Sequence, residues 1–171
     1  MKILITSLIS CSFISLLIFG SEKHPNFDDS EVLVEIMSQA KEVVTTTNPD
    51  GSIVFLDTDK NSPYLGSGWI YELRKNGTIL GIGKVKEGML NGVVASWYSN
   101  GKKKAEETFD NGKLTTVKKW KPNGLACEKT NVENGYGETY NYDLESNLTS
   151  VILWNDGVVV GGLGNQKPEN K

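Results

Sequence analysis

The residues able to do acid–base or covalent chemistry are few, and their spacing suits none of the familiar arrangements. His24 is the only histidine, and a lone imidazole ahead of the patterned part of the chain can anchor neither a catalytic triad nor a metal site. The two cysteines, Cys11 and Cys127, form no paired metal-binding motif. Gly81-Ile82-Gly83 lacks the third glycine and the helix that a dinucleotide turn requires, and no phosphate loop or nucleophile elbow occurs. Glu106 and Glu107 are adjacent, so on a strand their carboxylates point to opposite faces and make no dyad. The sequence therefore predicts a non-enzymatic protein with no metal and no cofactor. A hydrolytic pair assembled from acids distant in sequence is the one enzymatic route left open.

The other chemistry on offer is recognition through aromatic rings. Trp97, Tyr98, Trp120, Tyr140 and Tyr142 are the candidate partner-binding residues. Two readings of them compete: a core ladder in which the rings stack on one another, favoured for most of them, and an exposed stripe that holds a partner. Lysines at 102, 103 and 104 and at 118, 119 and 121 form the basic clusters. Alternation sends neighbours in each cluster to opposite faces of a sheet, which favours solubility and edge protection over an anion site.

What must position these side chains is a succession of tight corners. Asn76-Gly77, Glu87-Gly88, Asn100-Gly101, Asn111-Gly112, Asn123-Gly124, Asn134-Gly135 and Asp156-Gly157 recur, with Ser146-Asn147 where an eighth pair falls. The steps between them run 11, 13, 11, 12, 11, 12 and 10 residues, which is one strand plus one turn. Gly77, Gly88, Gly101, Gly112, Gly124, Gly135 and Gly157 are thus the structural turn residues, and a type I′ hairpin with positive φ at both central positions is expected at each. A longer period lies above the first: Trp97-Tyr98-Ser99-Asn100-Gly101 returns as Trp120-Lys121-Pro122-Asn123-Gly124, a shift of 23 residues. The unit is therefore a hairpin, too small to bury its own core, so that neighbouring units must stack.

The W-Y-x-N-G-K pattern from Trp97 to Lys102, followed by Glu106-Glu107-Thr108-Phe109-Asp110-Asn111-Gly112-Lys113, resembles the bacterial variant of the MORN repeat found in YwqK-like antitoxin-family proteins. Pro63-Tyr64-Leu65-Gly66 is similar to the P-Y-x-G entry of such proteins, and Trp120 to Gly124 with Cys127 is similar to a further element of their secreted members. The resemblance covers residues 62–157. It implies a single-layer antiparallel array of β-hairpins and a role as an antitoxin or immunity component that covers a toxin, with no chemistry of its own. Asn147 lacks its glycine and residues 140–147 are irregular, as in a capping repeat.

The expected organisation has four parts. Residues 1–20 read as a signal peptide: Lys2, an apolar stretch from Ile3 to Phe19 and a Gly20-Ser21 exit. An uncleaved anchor is the alternative. Cys11 sits in a short lipoprotein-like box, but the apolar residues after it argue against a lipid anchor, leaving the leader as the other membrane contact. The protein is expected outside the cytoplasm, periplasmic or extracellular. Cleavage leaves Cys127 alone, read as a small semi-buried hydrophobe. Residues 21–63 are acidic, three lysines against nine acids, a balance of −6. They carry a helix over residues 29–44 capped by Ser30 and a strand at 53–56. Residues 64–157 form the repeats with a balance of +1, and residues 158–171 a frayed tail. Acid gathered ahead of the repeats argues against a nucleic-acid partner. Another protein is the expected partner, and an envelope protein holding glycan or lipid headgroups is the alternative.

Overall fold

The computed structural model describes residues 24–48 and 52–164. The expected leader with Cys11, and the tail from residue 165, lie outside the described residues. One helix, α1 (Ser30–Gln39), precedes β1 (Lys41–Thr47), β2 (Ile53–Asp57) and β3 (Ser62–Pro63). The repeats then supply β4 (Gly68–Leu73), β5 (Ile79–Lys86), β6 (Met89–Trp97), β7 (Lys103–Asp110) and β8 (Lys113–Lys119). The chain closes with β9 (Gly137–Tyr142), β10 (Leu148–Asn155) and β11 (Val158–Gly164).

The protein is mainly β, and its hairpins are mostly antiparallel, but the single antiparallel layer expected from the repeats is corrected in two respects. The larger sheet has eight strands in the order β3-β2-β1-β4-β5-β6-β7-β8 and is mixed, because β1 runs parallel to β4 through Lys41↔Ile70 and Glu42↔Tyr71. The last three strands make a separate sheet, β11-β10-β9. The break falls in residues 125–133, where a strand is due. Only Trp120↔Ala126 and Glu133↔Tyr136 bridge there, and side chains take over backbone pairing: Tyr140 N–H donates to Thr130 Oγ1 at 3.2 Å and Glu138 N–H to Asn131 Oδ1 at 2.9 Å. The segment expected as a frayed tail contains β11, whose residues 158–164 pair with β10. The acidic segment holds three strands where one was expected.

Two kinds of corner alternate along the array. Glu87, Asn111, Asn134 and Asp156 have φ of 53, 47, 51 and 50°, and each precedes a positive-φ glycine, which gives the type I′ geometry. The other corners follow a different plan. Arg74 N–H donates to Thr78 O and Gly77 N–H to Arg74 O, and the same two bonds recur at Tyr98/Lys102/Gly101, Lys121/Leu125/Gly124 and Asp143/Asn147/Ser146. These are wider turns in which only the fourth residue is left-handed, a type I turn closed by a G1 bulge. Here Asn76, Asn100 and Asn123 keep ordinary φ, and each carboxamide accepts from the N–H two residues on, at 3.1, 3.1 and 3.0 Å. Ser146 takes the left-handed place at φ 65° where glycine is missing. Because consecutive corners lie at opposite ends of the strands, wide turns gather at one end of the sheet and tight turns at the other.

Each row of corners is tied together. At the wide end Tyr98 Oη donates to Trp120 O at 2.9 Å and Asn100 Nδ2 to Pro122 O at 3.0 Å. Across the tight end Gly112 N–H reaches Leu90 O, Gly135 N–H reaches Thr115 O and Gly157 N–H reaches Gly135 O, at 2.8 to 3.0 Å.

The helix cap falls one residue earlier than expected, since Asp29 and not Ser30 accepts from Glu31 N–H. It stops at Gln39 and not at residue 44, where the β-branched run Val43 to Thr47 turns extended. Leu33, Ile36 and Met37 of α1 pack with Phe27 on Ile82, Val93, Ala95 and Trp97, which fixes one face of the sheet as the helix side. On the opposite face Val43 and Phe55 meet Ile70 and Val85, while Val132 and Trp154 meet Leu114 and Val117. Irregular registers between Ser96 and Trp97 and between Thr108 and Phe109 shift the alternation. As a result Leu114 and Trp120, expected on one side, fall on different faces.

Candidate functional site

The candidate aromatics cluster at the wide-turn end because each repeat places its ring just before the turn. Alternation and the bulge beside Trp97 then divide them between two faces. Trp97 and Trp120 go to the helix side. Trp97 is 6% exposed and meets Phe27 edge to face, with centroids 6.4 Å apart, and Phe27 meets Trp69 in the same way at 6.2 Å. Trp120 is half-buried, with Lys103 Nζ 5.4 Å from its ring centroid. Lys103 in turn is held by Asp28 at 2.7 Å and Glu106 at 2.6 Å. Burial works against the charge on Lys103, but these two carboxylates outweigh it and leave its pKa raised. Between α1 and the turns at Gly101 and Gly124 lies a groove of about 470 Å³, with Phe27, Leu33, Trp97 and Trp120 as its apolar lining and Asp28 and Lys102 among its charged residues.

The tyrosines gather instead around Cys127. The Cys127 sulfur lies 3.5 Å from Tyr142 Oη and accepts from Thr130 Oγ1 at 3.6 Å. Tyr98 and Tyr140 are near enough to feel its charge. Burial pushes the thiol pKa up, but the hydroxyls of Tyr142 and Thr130 and the N–H groups of Thr130 and Lys129 together bring it below the ordinary value. Tyr142 is pushed up to about 12, first by burial and then by its hydrogen bond to Cys127. Lysines cover these rings as well: Lys104 sits over Tyr98 at 5.9 Å, Lys121 over Tyr142 at 5.4 Å and Lys129 over Tyr140 at 5.8 Å.

Neither expected arrangement of the five rings therefore describes them. Among the described residues the ring-to-ring contacts join Phe27 to Trp69 and Trp97, so the candidates do not stack on one another. Nor do they form one open stripe, since Trp97 and Tyr98 are buried and ammonium groups lie over the other three. The basic clusters, read as solubility features, supply the cations over Trp120 and Tyr142, and Lys129, outside both clusters, supplies the one over Tyr140. Sequence reasoning missed Phe27, which sits in a polar stretch; its position ahead of the Asp29 cap, with Leu33 one turn into α1, is a staple-like signal that marks it in retrospect.

A second polar group lies deeper, on the face opposite α1. Lys119 is 8% exposed; burial lowers its pKa, and its ammonium donates to Asn141 Oδ1. Glu107, in register between Val94 and Val117, is raised by burial despite the opposing pull of Lys119 and Lys104. Glu106 and Glu107 do part to opposite faces: Glu106 reaches Lys103 on the helix side. Among the described residues no group of three or more His, Cys, Asp or Glu is placed to hold a metal ion.

No family model, no curated protein and no solved structure matches this chain.

Proposed function

We propose that this chain is a non-enzymatic, exported interaction module, and that its resemblance to YwqK-like repeat proteins reflects a shared role as an antitoxin or immunity component that blankets a partner protein. The observation that carries the reading is the last hairpin. Val158, Val159, Val160 and Leu163 of β11 are 48, 59, 58 and 74% exposed, and among the described residues β11 pairs with β10 alone. An uncharged strand with a free edge and bare valines is the surface a monomer ordinarily avoids and a partner-binding protein keeps. The test is affinity capture with the tagged chain in its native host, then titration of the recovered protein against purified wild type and Val159→Lys. Binding weakened about tenfold or more by the lysine is expected. Failure to recover a partner, or equal binding by the variant, sinks the reading.

The groove at the wide-turn end supports a second reading, an envelope protein that holds glycan or lipid headgroups against Trp120. Co-sedimentation with cell-wall polymer or anionic vesicles, lost in Trp120→Ala, is its expected signature; co-sedimentation that survives the substitution counts against it.

A further inference from the structure

The sheet face opposite α1 carries a hollow at its centre. Two rows cross it in register: Glu72, Gly81 and Ser96 in one, and Ile70, Gly83 and Val94 in the other. The middle strand, β5, thus contributes glycine to both rows; the floor is open at Gly81, while the Val94 side chain leans over Gly83, 3.1 Å from where a Cβ would stand. Val43 and Phe55 stand at the side nearest β1, and Lys104 stands on the side of β7. The hollow is half open to solvent, with a volume of about 150 Å³ and mostly apolar walls. A Cβ built on Gly81 meets only Ala95 O, at 3.4 Å, so room remains above that position.

The two charged side chains in the lining differ in what they have left to offer. Both oxygens of Glu72 already accept from Thr45, from its N–H at 3.3 Å and from its hydroxyl at 2.6 Å. Lys104 has no carboxylate within ion-pair distance among the described residues; its ammonium lies over the face of Tyr98 and near enough to Glu107 and Lys119 to interact with both. An apolar trough with one cation at its side that no carboxylate pairs directly is complementary to an alkyl chain bearing one anionic head.

We propose that this hollow binds a fatty-acid-like monocarboxylate, its alkyl chain lying over Gly81 beside Val94 and its carboxylate meeting Lys104. The site lies apart from β11 and shares only Trp97 with the wide-turn groove, so it stands or falls independently of partner binding. The test uses the purified protein with dansyl-undecanoate as fluorescent probe and decanoate or decanol as competitor, below the concentrations at which either self-associates. Saturable probe binding and displacement by decanoate are expected. Gly81→Val fills the floor with a residue that strands favour, and about tenfold weaker probe binding is expected with the far-UV spectrum and unfolding midpoint retained. Lys104→Gln is expected to weaken decanoate about tenfold while leaving decanol unchanged. An absence of saturable binding, or probe affinity unchanged in Gly81→Val, overturns the site. Equal loss of decanoate and decanol in Lys104→Gln overturns the assignment of the head group, and that variant keeps the test decisive should Gly81→Val fail to fold.

Discussion

At the scale of single residues, the sharpest contrast is between two turn glycines with nearly the same backbone angle. Gly101 has φ +80° with nothing near its missing Cβ, whereas Gly135 has φ +83° and a Cβ there lands 2.5 Å from Gly157 N. Gly101→Ala is expected to cost only the left-handed penalty, roughly 1–2 kcal/mol. Gly135→Ala must also push two corners apart, so a clearly larger loss is expected from the same urea titration. Tyr142 makes a second prediction at this scale. Its folded-state pKa is raised from 10.0 to about 12, so the fold favours the neutral phenol. That contribution is full below pH 10 and is lost as pH rises from 10 towards 12. Urea midpoints measured across this window should fall with pH in the wild type and fall less steeply in Tyr142→Phe; equal slopes would discount the tyrosine. None of this was readable in the sequence, because Cys127 and Tyr142 meet only where the sheet breaks. Cys127, expected as a small semi-buried hydrophobe, is more deeply buried than that, at 5% exposed.

Among the elements, α1 depends on one anchor that lies outside it. Phe27 is 2% exposed at the junction of helix and sheet, while the Asp28 carboxylate beside it is 73% exposed in its ion pair with Lys103. Phe27→Ala is expected to cost about 3–5 kcal/mol by opening a cavity. Asp28→Asn, which removes only a surface charge, should cost about 0.2–1 kcal/mol. Amide exchange of residues 30–39 is the direct readout: fast in the first variant, little changed in the second. The positions of the hairpins could be read from the sequence because every glycine at a corner needs left-handed space whatever the turn type. The turn types could not, because asparagine fits both. In Asn111-Gly112 it takes the positive φ itself, and in Asn100-Gly101 it works through its carboxamide. The faces of the rings were hidden for a related reason. An extra residue on β7, Lys104, faces the step from Ser96 to Trp97, and a second on β8, Thr115, faces the step from Thr108 to Phe109; each reverses the alternation until the next, and no residue type there announces them.

For the molecule as a whole, the distribution of charge and bare surface sets its behaviour in solution. With Val158, Val159 and Val160 exposed on an edge strand, the protein is expected to associate as concentration rises. Val160→Lys should suppress that association in light scattering while moving unfolding stability by no more than about 0.5 kcal/mol. A variant that aggregates like the wild type would place the sticky surface elsewhere. The succession of hairpins was legible along most of the chain, yet its interruption at 125–133 was not, since Lys129-Thr130-Asn131 looks like any polar strand until the Thr130 and Asn131 side chains are seen taking over backbone partners. The alternation of wide and tight corners has one more consequence, which concerns how such a chain can change its length. Copying 23 residues, as between Trp97 and Trp120, returns the polypeptide to the side it left with every corner suited to its row. Copying a lone strand would hand each later corner to the wrong row and turn each later ring over, so lineages built on this plan should gain and lose strands in even numbers.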